Sequence, residues 1–213
     1  MKIYRIPERT RTIIFDIDST LYTDSVYAFE QVDCQVRYFA DLRGIPAEEA
    51  RKMVAAYRKK WAELHGGQKI SLGNTLAAFG IPIETSVEWR KKLLEPKNFL
   101  SYNGKLVSAL QALAGRFRLI CVTNNPVLPA RKTLDVIGVS ALIPDIIGLD
   151  TCFKSKPAAE PFLLAAEKTS ARPDECLAVG DRYDLDVALP LELGMGGILV
   201  SGVEDVYTLN SVI

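Results

Sequence analysis

The chain has 213 residues, 48% hydrophobic and 24% charged, and its 26 basic and 26 acidic side chains cancel. That length admits one domain, or a core with an insertion, and the composition is that of a globular protein with a sizeable core. A neutral chain signals no nucleic-acid partner, its local basic clusters Arg58-Lys59-Lys60 and Arg90-Lys91-Lys92 reading as solvated helix faces, and no apolar run approaches the ~20 residues of a membrane span.

Residues 1–5, followed by Pro7 and Glu8, lack the apolar core and cleavage site of a signal peptide. Cys34, Cys121, Cys152 and Cys176 form no C-x-x-C pair and match no zinc spacing. Cys121 and Cys176 stand inside apolar runs, where a thiol acts as a small buried hydrophobe. These features predict a cytoplasmic protein with no membrane association.

The first strong structural signal is Thr12-Ile13-Ile14-Phe15, a β-branched apolar run with acidic residues directly after it. It reads as a buried strand ending at a polar edge. From residue 22 to residue 100 no buried strand is evident. Val26, Phe29, Val36 and Phe39 recur at helical spacing. Gly44-Ile45-Pro46 then breaks the chain. Ala50, Met53, Val54, Tyr57, Trp61 and Leu64 trace a second amphipathic helix that ends at Gly66-Gly67. Shorter helices are expected over residues 72–79 and 87–94.

Beyond residue 100 helices and strands alternate. Leu106, Leu110 and Leu113 share a helix face, and residues 119–122 form the next apolar run. Leu134 and Ile137 precede a C-capping Gly138; Phe162, Leu163 and Ala166 mark a later helix. Further strands are expected at residues 146–147, 176–179 and 198–200. The pattern predicts an α/β fold: a Rossmann-like, three-layer parallel-sheet core of residues 1–21 and 101–213. A helical cap, residues 22–100, is inserted after its first strand.

Open parallel sheets place their sites at the carboxyl ends of the strands. There, Asp16 and Asp18 can point into one small site. Two such close carboxylates repel unless a cation lies between them or one takes a proton. In phosphoryl-transfer chemistry the first attacks phosphorus and the second handles the leaving-group proton. After the next strand, Thr123 and Asn124 supply a hydroxyl and an amide suited to phosphoryl oxygens. Lys156, before a helix, can neutralise charge on that group. Gly180-Asp181-Arg182-Tyr183-Asp184-Leu185-Asp186 follows a later strand, and its glycine is expected to let the backbone turn tightly. Three acids within six residues suit a hard cation such as Mg²⁺.

This ordered set resembles the haloacid dehalogenase superfamily, whose members are mostly phosphatases. Asp16-Ile17-Asp18-Ser19-Thr20-Leu21 matches its first motif, D-x-D-x-T-L. Thr123-Asn124 matches the second, Lys156 the third, and Gly180-Asp181 through Asp186 the fourth. The resemblance implies that Asp16 forms an aspartyl-phosphate and that Asp18 protonates the leaving oxygen, then activates water. It implies Mg²⁺ held by the carboxylates of Asp16 and Asp181 and the backbone carbonyl of Asp18, with Asp186 in support. Thr123, Asn124 and Lys156 would hold the phosphoryl group of a small phosphate monoester. The opening Asp-Ile-Asp-Ser-Thr-Leu-Tyr looks like the pyrimidine 5′-nucleotidase-like branch, which puts nucleoside monophosphates first and sugar phosphates second. Tyr22, Tyr27 or Phe29 would then stack on the base. The chain departs from common family patterns at Ala158-Ala159-Glu160, after the third motif, and at Leu185 in the fourth.

Other chemistries fit less well. A dehalogenase typically lacks the second Asp of the pair. A dinucleotide-binding dehydrogenase needs a glycine-rich turn where residues 16–20 hold no glycine. A Ser-His-Asp hydrolase would have to recruit His65, the only histidine, at a helix end in the insertion. A phosphomutase of the same superfamily, and a phospho-accepting switch or binding protein, remain as alternatives.

Overall fold

A computed structural model of the chain describes residues 1–67 and 69–213. Six strands, β1 (Lys2–Arg5), β2 (Thr12–Phe15), β3 (Arg118–Val122), β4 (Asp145–Ile147), β5 (Cys176–Gly180) and β6 (Gly196–Leu199), form one sheet in the order β1-β6-β5-β2-β3-β4. Every residue of β2 is buried, which requires partners on both edges. It has them: β3 and β5 both run parallel to it, with Phe15 opposite Cys121 on one side and Val179 on the other. Thr12, the polar member, meets the hydroxyl of Thr169 at 3.0 Å. Beneath the sheet lies a core of Ile14, Ile120, Val122, Ile147 and Phe162. Fully burying such side chains contributes about 1.5–3 kcal/mol each.

The expected parallel-sheet core is present, with one further strand that the sequence does not mark, β1, pairing antiparallel with β6 at one edge. All four of its residues are exposed, so no buried apolar run marks it in the sequence.

The chain divides into two compact units, one of Met1–Asp24 with Glu95–Ile213, the other Ser25–Leu94. Tyr22, which the sequence assigns to the insertion, is buried, and the hydroxyl of Thr23 accepts a bond from Val203 N–H at 3.0 Å. The second unit holds α1 (Ser25–Arg43), α2 (Ala47–Leu64), α3 (Leu72–Ala78) and α4 (Ile83–Leu93). Val36, Phe39, Ala50, Val54, Leu76 and Trp89 make its core. Val26, Phe29, Met53 and Leu64, at helical spacing in the sequence, are exposed, so the apolar stripe is narrower than the periodicity suggests. Asp33 of α1 is nearly buried and accepts two bonds from Arg51 of α2, at 2.7 and 2.9 Å, and one from Arg37. Those guanidinium bonds outweigh the opposing effect of burial and hold its carboxyl below the ordinary aspartate range.

The sheet unit adds α5 (Gly104–Ala114), α6 (Val127–Ile137), α7 (Leu149–Cys152), α8 (Ala159–Lys168), α9 (Ala188–Glu192) and α10 (Val203–Tyr207). Leu106, Leu110 and Leu113 of α5 are buried, as their spacing requires, whereas Leu163 of α8 faces outward. Among the described residues no helix is long and apolar enough to cross a membrane.

Candidate active site

The central strand delivers the first acid. Asp16 N–H still bonds to Val179 carbonyl at 2.9 Å, so its backbone continues the ladder. The chain then turns at once. Thr20 and Leu21 N–H groups both bond to Ile17 carbonyl, and Ser19 takes a φ of 60°. The Asp16 side chain, 8% exposed, accepts from Lys156 Nζ at 2.5 Å and from the Thr20 hydroxyl at 3.4 Å.

Lys156 also donates to Asp186 Oδ1 at 2.6 Å, so one buried ammonium joins two carboxylates from different loops. The lysine is itself fixed through its backbone. Its N–H donates to Asn124 Oδ1 at 2.7 Å, and its carbonyl accepts from Asn124 Nδ2 at 3.3 Å. Asn124, expected among the phosphoryl ligands, thus has both ends of its amide bonded to the lysine loop. Thr123, beside it, is buried at the end of β3, and its hydroxyl accepts from Asn125 N–H at 3.1 Å.

Asp186 lies on a π-helical turn, Tyr183–Val187, after β5. Irregular turns of this kind recur at functional sites. Its second oxygen accepts from Arg182 N–H at 3.0 Å. Gly180 is needed for a different reason from the tight turn expected. A Cβ on Gly180 would stand 2.4 Å from Asp186 Cβ, so glycine makes room for the acid. Asp184, counted above among three acids for a cation, instead points outward to Arg182 at 2.8 Å.

Carboxylate oxygens of Asp16, Asp181 and Asp186 all lie within 4.8 Å of one another. Burial raises the pKa of Asp16. Lys156 opposes that, Asp186 and Asp18 add to it, and the result is about 8. Asp181 is pushed up to about 6, by burial and then by Asp186. Burial disfavours the Lys156 ammonium, but Asp16 and Asp186 outweigh it and hold the lysine above its ordinary value. One ammonium does not balance three clustered carboxylates, two of them buried, and a hard divalent cation fits both the deficit and the oxygen donors. The Asp18 carboxylate stands apart from this trio. Its Oδ1 accepts from the Tyr22 hydroxyl at 2.5 Å and its Oδ2 from Asn125 Nδ2 at 2.8 Å.

Sequence reasoning thus named most of the residues that meet here, but missed Thr20, Tyr22 and Asn125 as partners of the acids. Thr20 and Tyr22 stand four residues after Asp16 and Asp18, and Asn125 directly follows Thr123-Asn124. His65 lies elsewhere, exposed and stacked on Trp61 at 3.8 Å.

A strand-end Asp pair, a buried lysine and an acid cluster thus gather at the carboxyl ends of parallel strands. The family model for haloacid dehalogenase-like hydrolases matches residues 10–192, and the chain belongs to that family. It is similar to the 5-amino-6-(5-phospho-D-ribitylamino)uracil phosphatase YigB of Escherichia coli (strain K12), with 23% identity over 92% of this chain and 85% of that protein. The phosphoglycolate phosphatase of the same strain is 27% identical over 85% of this chain and 78% of its own. Among solved structures, a HAD phosphatase from Thermococcus onnurineus superposes with a TM-score of 0.61 at 20% identity, covering 90% of this chain and 86% of that one.

The packing of Gly180 against Asp186 is directly testable. Gly180→Ala should displace Asp186 from Lys156, lowering hydrolytic activity at least about tenfold and stability by about 1–3 kcal/mol. Kinetics and urea melts check this; wild-type values for both would contradict the close approach.

Proposed function

We propose that this chain is a Mg²⁺-dependent phosphatase that hydrolyses small phosphate monoesters through an aspartyl-phosphate on Asp16. The observation that carries the reading is the buried Asp16 carboxylate at the end of the central strand, paired to Lys156 and close to Asp181 and Asp186. The phosphatase names of the two curated relatives support it.

In this reading a carboxylate oxygen of Asp16 attacks phosphorus in line. The bond to the leaving oxygen breaks, and that oxygen takes a proton from Asp18. Asp18 then accepts a proton from water as the water oxygen attacks phosphorus. The bond to Asp16 breaks, which restores its carboxylate and releases inorganic phosphate. Lys156 offsets charge on the phosphoryl oxygens, and the Thr123 hydroxyl donates to one of them. Asn124 acts by holding Lys156. Asp16, Asp181 and the carbonyl of Asp18 would hold Mg²⁺, with Asp186 beside them. When bound, the ion supplies charge neutralisation at the phosphoryl group.

The inserted helical unit, the cap in this reading, is the source of leaving-group selectivity. Nucleoside monophosphates come first and sugar phosphates second. The relative named for a phosphoribitylamino-uracil supports an order led by a pyrimidine-like ring. Tyr22 and Tyr27 are buried, which removes them as base-stacking surfaces, while Phe29 is 62% exposed.

A panel of nucleotides, sugar phosphates and a phosphorylated protein, assayed with Mg²⁺ and in excess chelator, tests the activity. Small monoesters should be hydrolysed only with the metal, and Asp16→Asn should abolish turnover while leaving the melting curve intact. Full activity in chelator, or the highest kcat/KM on the phosphoprotein, would contradict the proposal.

The cation site has a second readout. Asp16 and Asp181 have folded pKa values of about 8 and about 6, above the ordinary aspartate value near 3.9. Between roughly pH 4 and 8 the cation-free fold therefore binds more protons than the unfolded chain, and these two groups cost stability as pH rises. Mg²⁺ must displace those protons. A fixed Mg²⁺ concentration should raise Tm more at pH 8 than at pH 5. Equal shifts would count against the assigned ligands.

A further inference from the structure

We infer that Tyr22 and Asn125 are positioning residues that together aim the Asp18 carboxylate at the leaving-group oxygen. The inference rests on the reading of Asp18 as the general acid and base. Asp18 lies on a loop and is only partly buried, so its side chain has rotamers to choose among. Each of its oxygens meets a donor, the Tyr22 phenol on Oδ1 and the Asn125 amide on Oδ2. One donor comes from the same loop, four residues on. The other comes from the loop after the neighbouring strand β3, 107 residues away in sequence. Two bonds from unrelated directions fix both torsions of a short side chain.

The donors are themselves anchored. Tyr22 is 4% exposed, so its ring is held by packing. Asn125 N–H bonds to the Thr123 hydroxyl at 3.1 Å, and its carbonyl accepts from Leu149 N–H at 2.9 Å. The residue that aims Asp18 is thereby tied to Thr123, which the proposed function sets on the phosphoryl group. The acid/base and the phosphoryl site share one frame. Such preorganisation matters because a misplacement near 1 Å can cost about 10²-fold in rate.

The test compares wild type, Tyr22→Phe, Asn125→Ala and Asp18→Asn, plus Tyr22→Phe placed in the Asp18→Asn background. The substrates are p-nitrophenyl phosphate, whose leaving group needs little protonation, and β-glycerophosphate, an alkyl ester that needs it. The readout is kcat/KM, which reports steps through leaving-group departure and is blind to later hydrolysis of the aspartyl-phosphate. Asp18→Asn should lose about 10²–10⁴ on the alkyl ester and far less on the aryl ester. Tyr22→Phe and Asn125→Ala should each lose about 10–10² on the alkyl ester with the same selectivity. Tyr22→Phe should lose nothing further once Asp18 is Asn, since coupled residues are non-additive.

Equal losses on both esters for Tyr22→Phe and Asn125→Ala, or an undiminished Tyr22→Phe loss in the Asp18→Asn background, would reduce the pair to a structural role. Wild-type kinetics in both single variants would overturn the inference while leaving Asp18 its role. Unselective loss in Asp18→Asn would overturn that role, and the inference with it.

Discussion

A single lysine ammonium sits between two buried carboxylates, and the site is organised around it. Lys156 is 5% exposed and Asp186 3%, so neither charge is screened by bulk water. Taking ions out of water costs several kcal/mol each, and only close, well-aligned partners offset it. The loop that carries the lysine is accordingly held to the end of β3 by both halves of the Asn124 amide. The acid it meets is seated by a glycine that leaves space for no Cβ. These devices differ in kind, yet each fixes a charge that would otherwise be expelled or neutralised.

The same arrangement leaves a deficit. Asp16, Asp181 and Asp186 crowd together with one ammonium among them, and burial first, with the neighbouring carboxylates adding to it, makes the first two resist ionisation. In the proposed mechanism Asp16 attacks as the carboxylate, which calls for further positive charge at neutral pH. A divalent cation held by this cluster would supply that charge. Asp18, whose charge adds to the load on Asp16, turns its own carboxylate oxygens to Tyr22 and Asn125. Two aspartates separated by one residue thereby acquire different surroundings, in keeping with the different roles proposed for them.

Much of this was legible in the chain. Asp16, Thr123 and Asp181 each follow a buried β-branched or apolar run, and a parallel sheet gathers such strand ends at one edge. What stayed hidden follows from how the signals arise. Strand β1 is an exposed edge, and exposed edges carry no apolar run. Residues two apart on a helical turn face opposite sides, but spacing could not tell which of Asp184 and Asp186 points in. The roles of Asn124 and Tyr22 depend on contacts 32 and 4 residues away, respectively. The first is invisible to local pattern. The second lay in plain sight, but Tyr22 suggested a stacking surface, and only its burial redirects attention to the hydroxyl.

The account depends most on Asp16 becoming covalently phosphorylated during turnover. The direct measurement is to quench the Mg²⁺-loaded protein during steady-state hydrolysis of p-nitrophenyl phosphate, digest it, and locate the phosphoryl group by mass spectrometry. The account predicts a hydroxylamine-labile phosphoryl group on the peptide containing Asp16, absent from Asp16→Asn. A label on another residue, or rapid turnover that persists in Asp16→Asn, would contradict it.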